Sequence, residues 1–302
     1  MFSMLIPVAV DPDALVATSV VDVEAAWSAL TTYSAGQAVY RVLGNVHQRF
    51  VSAQGSNTNH VPEDDDGTWW IDEGPTNAWA MFDDTTTTVT SDPDAIEVEI
   101  EVPATDRVDT IWLAALGAET VRVRVDDPIE GPIYDETFSL ADPGSVLDWF
   151  AYFYDDVQFR QELLVTDLPN GAGSTLTVTV ARPGDDAECG QLLLGQRAPI
   201  GQTRWGVRTE IRDYTRWLEN DFGDRVLVKG AYRKLISAEF ILENRLKDAV
   251  ERELTAARGE PRLYVADEDY TTLAAFGTAK WAVEMSLPPD LSLCSIQIES
   301  NT

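Results

Sequence analysis

Three stretches of this chain alternate apolar and polar residues without a break. They are Ile96-Glu97-Val98-Glu99-Ile100-Glu101-Val102, Val121-Arg122-Val123-Arg124-Val125 and Leu176-Thr177-Val178-Thr179-Val180. Strict period two puts one face of a strand in a core and the other in water, the pattern of antiparallel sheets. Turn chemistry separates these stretches: Asp92-Pro93-Asp94, Asp127-Pro128, Glu130-Gly131-Pro132 and Asn170-Gly171. Residues 78–188 are therefore predicted to form a β-sandwich or jelly roll.

Charge divides the chain a second way. Among 302 residues, 22 Lys and Arg face 51 Asp and Glu, a net charge of −29. Residues 1–190 hold 7 Arg, no Lys and 34 acids, whereas residues 191–302 hold 15 basic and 17 acidic residues. A boundary is expected near 184–190, between a strongly solvated, self-repelling part and a nearly neutral part free to pack against neighbours. This balance argues against nucleic-acid binding, which needs clustered Lys and Arg, and against an anionic membrane surface. No apolar run has the length of a membrane span, so membrane insertion is not expected. The start, with Pro7, Asp11 and Asp13 and no basic segment, does not read as a signal peptide. Cys189 and Cys294, the two cysteines, make no disulfide framework.

The expected organisation has four parts: an extended N-terminal arm over 1–25, a small aromatic-rich domain over 26–77, the β-sandwich, and an α+β domain over 189–302. The fold class is mainly β with an α+β C-terminal domain. In the second part Trp27, Tyr33, Tyr40, Phe50, Trp69 and Trp70 lie among Gly, Ser, Asn and Thr, with short strands around 38–42 and 48–51. In the last part strands are predicted near 225–229, 234–240, 262–265, 280–285 and 293–298. One helix is predicted over 245–258, with Asn244 as its N-cap, Leu246, Val250, Leu254 and Ala257 as its apolar stripe, Asp248 and Arg252 as an i,i+4 pair, and Gly259 and Pro261 as its stop.

Few residues form a catalytic pattern. There is no G-x-S-x-G, and His47 and His60, the two histidines, sit in a segment rich in Asn, Gln and Gly, where they read as loop or surface residues. Asp64-Asp65-Asp66-Gly67 resembles part of an EF-hand loop, but Pro62 would occupy the first ligand position. An acidic surface loop is the preferred reading, with Asp64 and Asp66 as weak metal candidates. Phosphate-cradling glycine motifs are absent, and Gly171-Ala172-Gly173 reads as a hairpin connection. With 51 acids, carboxylate pairs for glycoside hydrolysis carry no information. No cofactor and no enzymatic activity are expected; a glycan-degrading enzyme with an appended module ranks last among the readings. The one site-like constellation is aromatic. Tyr40, Trp69 and Trp70 offer stacking faces for sugars, and Asn57, Asn59 and Gln54 offer hydrogen bonds to hydroxyls. Trp27 and Tyr40 read first as core. Adjacent Trp69 and Trp70 in a strand would point to opposite faces, leaving one exposed.

Residues 26–39 (AWSALTTYSAGQAV), then Phe50-Val51-Ser52-Ala53, Asn57, Pro62 and Trp69-Trp70, resemble a small carbohydrate-binding module of the chitin-binding kind. The segment 70–83 (WIDEGPTNAWAMFD) resembles a junction in tail proteins of long-tailed bacteriophages, where such a module runs into a β-sandwich and then a C-terminal tail-type domain. Asp148-Trp149-Phe150-Ala151-Tyr152-Phe153, residues 206–214 and residues 292–299 fit the same pattern, so the resemblance spans about residues 5–300. It implies a structural component of the tail tip or baseplate, in the virion and assembled in the bacterial cytoplasm. The implied partners are further copies of itself, threefold or sixfold, other phage tail proteins, and a host surface glycan. In such an oligomer the arm at 1–25 would add a strand to a neighbouring subunit.

Overall fold

The structure, a computed structural model, describes residues 1–142, 144, 148–154, 156–169, 173–219, 223–268, 270–285 and 290–301. It is mainly β. The chain divides into two units: Val8–Leu194, here the acidic unit, and Met1–Pro7 with Gly195–Thr302, here the barrel unit. Among the described residues no helix is long and apolar enough to cross a membrane.

The first strand, β1 (Phe2–Pro7), belongs to the barrel unit. The acidic unit then begins with β2 (Leu15–Thr18). A small module follows, built from β3 (Ala25–Ala26), β4 (Thr32–Tyr33), β5 (Ala38–Leu43), β6 (Val46–Ser52), β7 (Asn57–Thr58) and β8 (Trp70–Pro75). Its strands pair as β3-β5-β6-β8 and β4-β7. Next come β9 (Thr90–Glu101), β10 (Thr110–Ala114), β11 (Thr120–Asp127) and β12 (Gly131–Ser139), the short helix α1 (Trp149–Tyr154), β13 (Glu162–Val165) and β14 (Thr175–Cys189).

The three alternating stretches become neighbouring strands of one five-stranded sheet, ordered β12-β11-β14-β9-β2. Register aligns their inward residues: Val121, Val123 and Val125 face Val180, Val178 and Leu176, which face Ile96, Val98 and Ile100. All nine are buried, in one cluster with Ile111 and Leu113 of β10 and Leu163 and Val165 of β13, which form an antiparallel pair. Outward residues take the polar work, as in the Arg122 Nε–Asp135 bond of 2.7 Å. The turn expected at Asn170-Gly171 lies outside the described residues.

The barrel unit comprises β1, most of β15 (Gln191–Thr203), β16 (Arg208–Asp213), β17 (Arg216–Glu219), β18 (Arg225–Val228), β19 (Tyr232–Glu243), α2 (Lys247–Ala256), β20 (Arg262–Val265), β21 (Ala274–Glu284) and β22 (Leu291–Ser300). Antiparallel pairing runs β15-β1-β20-β21-β22-β19, and β19 returns to β15 through Gln202↔Ile241 and Thr203↔Phe240. Six strands thus close into a ring, a geometry small enough for side chains to fill the interior. Phe2, Met4, Ile200, Ile236, Phe240, Tyr264, Cys294, Ile296 and Ile298 form that filling together with Val250 and Leu254 from α2 and Ala257 just after it. Phe2 stacks on Phe240 at 4.6 Å between ring centroids. Gly277 sits where a Cβ would meet the Glu299 carbonyl oxygen at 2.0 Å, so glycine permits the close strand approach.

Three expectations change here. Residues 2–7 are no arm: β1 lies between β15 and β20 of its own chain, and Phe2, Met4 and Leu5 are at most 2% exposed. An apolar run of this kind gains more from two covered faces than from water. Second, the single predicted helix is shorter, Lys247–Ala256, behind a 3-10 turn at Asn244–Leu246. Asn244 does not cap it, since its Oδ1 accepts a hydrogen bond from Ser292 Oγ. Val250, Leu254 and Ala257 are buried as the stripe requires, whereas Leu246 is exposed and the i,i+4 pair is Lys247–Glu251. Third, α1 adds a second, six-residue helix, with Trp149, Phe150, Phe153 and Tyr154 exposed.

Candidate functional site

The small module is organised by a few large rings. Tyr33, Val39, Phe50 and Trp70 are its buried cluster, with Trp27, Leu43 and Trp69 packed against it. Trp70 meets Tyr33 edge-on at 5.1 Å and donates from Nε1 to the His60 carbonyl at 2.9 Å. Trp27 lies under the Arg41 guanidinium at 5.0 Å, and Arg41 is tied to Glu63. A domain this small without disulfides needs such rings for stability.

The five nominated binding residues therefore take different places. Trp70 is 2% exposed and Asn57 is fully buried, its Nδ2 donating to Ser52 Oγ at 3.0 Å and to the Trp69 carbonyl at 3.2 Å. Trp69 is half-buried, with one face stacked on His60 at 3.9 Å and an interplanar angle of 10°. Asn59 is exposed, in the left-handed region at φ 60°. Tyr40 stands apart from the other rings, in β5, stacked on His47 at 4.5 Å. Asn57, Trp69 and Trp70 thus come together; Tyr40 does not join them.

The acidic loop explains how the two tryptophans are held. The Asp65 carboxylate accepts backbone N–H bonds from Gly67, Trp69 and Trp70, each at 2.9 Å. Desolvation acts to raise its pKa, but these three bonds prevail and hold it below the usual aspartate value. Asp66, one of the two metal candidates, instead accepts from Thr68 N at 3.2 Å and from Thr68 Oγ1. Asp64 is exposed in a 3-10 turn. Among the described residues no group of three His, Cys, Asp or Glu is placed to hold a metal ion. Beside the loop is a cleft of about 350 Å³ lined by Leu43, Pro62, Glu63, Asp65, Trp70 and Asp72 among others. Carboxylates flanking an aromatic ring can accept hydrogen bonds from hydroxyl groups in such a cleft.

Both histidines do more than fill loops. His60 covers Trp69, and His47 in β6 is wedged between Tyr40 and Trp79, 4.7 Å from the latter, with Nδ1 3.1 Å from Asp22 Oδ2. Asp22 also accepts from Thr76 Oγ1 at 3.0 Å and Ala78 N at 3.2 Å, so one carboxylate gathers the junction that follows the module. Trp79, from that junction, is 3% exposed and belongs to the same buried cluster as the inward residues of the five-stranded sheet. The Asp65-Asp66-Gly67 run is the local signal for the loop, because Asp two residues before Gly favours a side-chain-capped turn. No local signal announces Asp22. Cys189 and Cys294 are buried, and desolvation pushes both thiols up to about 12, which makes them inert packing groups.

Comparison of the chain with protein-family models, with curated proteins and with solved structures finds no match.

Proposed function

We propose that this chain is a non-enzymatic structural component of a bacteriophage tail tip or baseplate. On this reading it assembles in the bacterial cytoplasm as a threefold or sixfold homo-oligomer through residues 191–302, beside other tail proteins. Residues 26–77 are then a carbohydrate-module-like domain and 78–188 a jelly-roll-type sandwich. Support comes from the resemblance over residues 5–300 and from one observation in the barrel unit. All fourteen residues of β16, β17 and β18 are exposed, and they include Ile211, Trp217, Leu218, Val226 and Leu227. Apolar side chains in that number on one element mark a contact surface.

Immunogold labelling of the particles made by the phage whose genome encodes the chain tests this. Gold is expected at the tail end distal to the head; particles that carry no label overturn it. A second reading, attachment to a host envelope glycan, draws on the cleft beside Trp70 and on half-exposed Trp69. Particles carrying Trp69→Ala adsorb as wild type under the first reading. Under the second they lose adsorption by roughly tenfold or more, the loss of one good stacking contact.

A further inference from the structure

A cleft of about 600 Å³ opens on the barrel unit, lined chiefly by residues 202–207 at the end of β15 and residues 267–273 between β20 and β21. Trp205, Tyr270 and Leu273 are among its apolar lining, and Gln202, Arg204 and Asp267 among its polar lining. Backbone bonds fix both segments. Arg204 N donates to the Glu239 carbonyl at 2.8 Å, and Gly206, in the left-handed region at φ 109°, turns the chain straight after Trp205. In the second segment Leu273 N donates to the Tyr270 carbonyl at 2.9 Å, and Ala266 N donates to the Leu273 carbonyl at 3.0 Å. Thr203 Oγ1 donates to the Ala266 carbonyl at 2.5 Å and so ties one segment to the other. The cleft is thus formed before any ligand arrives, which lowers the ordering cost of binding.

Packing does not account for its two rings. Trp205 is 99% exposed and Tyr270 58% exposed, so the indole in particular contributes almost nothing to the fold. A single exposed ring is ordinary on a protein surface. Two rings in the lining of one preformed cleft, beside polar side chains, have the composition of a ligand site, and the volume is in the range such sites occupy.

The lining selects the chemistry of the occupant. Among the described residues its one basic side chain is Arg204, and Glu239 already holds that guanidinium at 2.9 Å. A phosphate would therefore meet no unpaired basic side chain, on a chain of net charge −29. A purely apolar ligand would cover Gln202, Arg204 and Asp267 without pairing their polar atoms. A pyranose ring meets both demands. Its C–H face stacks on an aromatic ring, and its hydroxyls exchange hydrogen bonds with planar amide, carboxylate and guanidinium groups. With the basic side chain already paired, the matching sugar is uncharged.

We propose that this cleft binds a neutral oligosaccharide, with Trp205 and Tyr270 as stacking platforms and Gln202, Arg204 and Asp267 as partners of its hydroxyls. The site goes beyond the tail-component reading, does not need it, and is a different place from the cleft beside Trp70. The test is binding of the full chain to an array of neutral pyranose oligosaccharides, for wild type, Trp205→Ala, Trp205→Tyr and Trp69→Ala. Because Trp205 supports no packing, Trp205→Ala is expected to keep the wild-type melting temperature. Wild type is expected to bind, and Trp205→Ala to weaken that binding roughly tenfold or more, the loss of one stacking contact. Trp205→Tyr, which keeps a flat ring, is expected to retain most of it, and Trp69→Ala to bind as wild type. Binding that survives Trp205→Ala intact overturns the site; if Trp69→Ala abolishes it instead, the glycan-attachment reading through the small module stands alone. A wild type silent on the array overturns the site, and the gold labelling still decides the tail placement separately. Should Trp205→Ala lower the solution mass by light scattering with no glycan bound, a second copy covers the ring and the sugar site is overturned.

Discussion

At the scale of single residues, Asp65 is a position where one change reaches both tryptophans of the module. Three backbone N–H groups converge on one carboxylate, and the two tryptophans that follow depend on that loop for their orientation. Charge-assisted bonds of this kind contribute about 1.5–3 kcal/mol when buried. Because the group is close to solvent, Asp65→Ala is expected to cost about 1–2 kcal/mol, read as a lower melting temperature by tryptophan fluorescence. The pH dependence follows from the direction of its shift. A carboxylate held below its unfolded value stabilises fully above about pH 4, and the contribution is lost as pH falls through its folded pKa. Asp65→Asn should flatten that acid slope; an unchanged slope would exclude this carboxylate as its source. The loop's turn signal is visible in Asp65-Asp66-Gly67. That its beneficiaries are Trp69 and Trp70 is not visible, and neither is the burial of Trp70 and Asn57, because composition near a ring does not say which of its faces is covered.

At the scale of elements, alternation was a reliable guide to what is buried. Every inward residue read from the three periodic stretches of β9, β11 and β14 lies in the core, and Val250 and Leu254 on α2 and Ala257 at its end turn inward. Periodicity was a poorer guide to ends: α2 starts at Lys247, because Asn244 spends its side chain on Ser292 rather than on a cap. Leu254, 2% exposed against the barrel strands, makes α2 part of the barrel core rather than a surface decoration. Leu254→Ala is therefore expected to destabilise the barrel unit by about 2–5 kcal/mol in denaturant unfolding. A cost below about 0.5 kcal/mol would mean a helix that merely covers the surface.

At the scale of the whole molecule, the defining feature is that β1 and Gly195–Thr302 form one unit although residues 8–194 intervene. Phe2 carries this claim, being fully buried and stacked on Phe240. Phe2→Ala is expected to cost about 3–5 kcal/mol in barrel stability, where the same change in a solvated arm would cost almost nothing. Calorimetry on the full chain separates the two outcomes. The β class, the inward face of each alternating strand, the helix stripe and the charge division are all legible along the chain, because each is a local property of neighbouring residues. The closing of six strands into a ring, the capture of β1, the Asp22 junction and the exposure of β16, β17 and β18 were decided in three dimensions. Period two is the same whichever neighbour a strand takes, so alternation says that a residue is covered and is silent about what covers it.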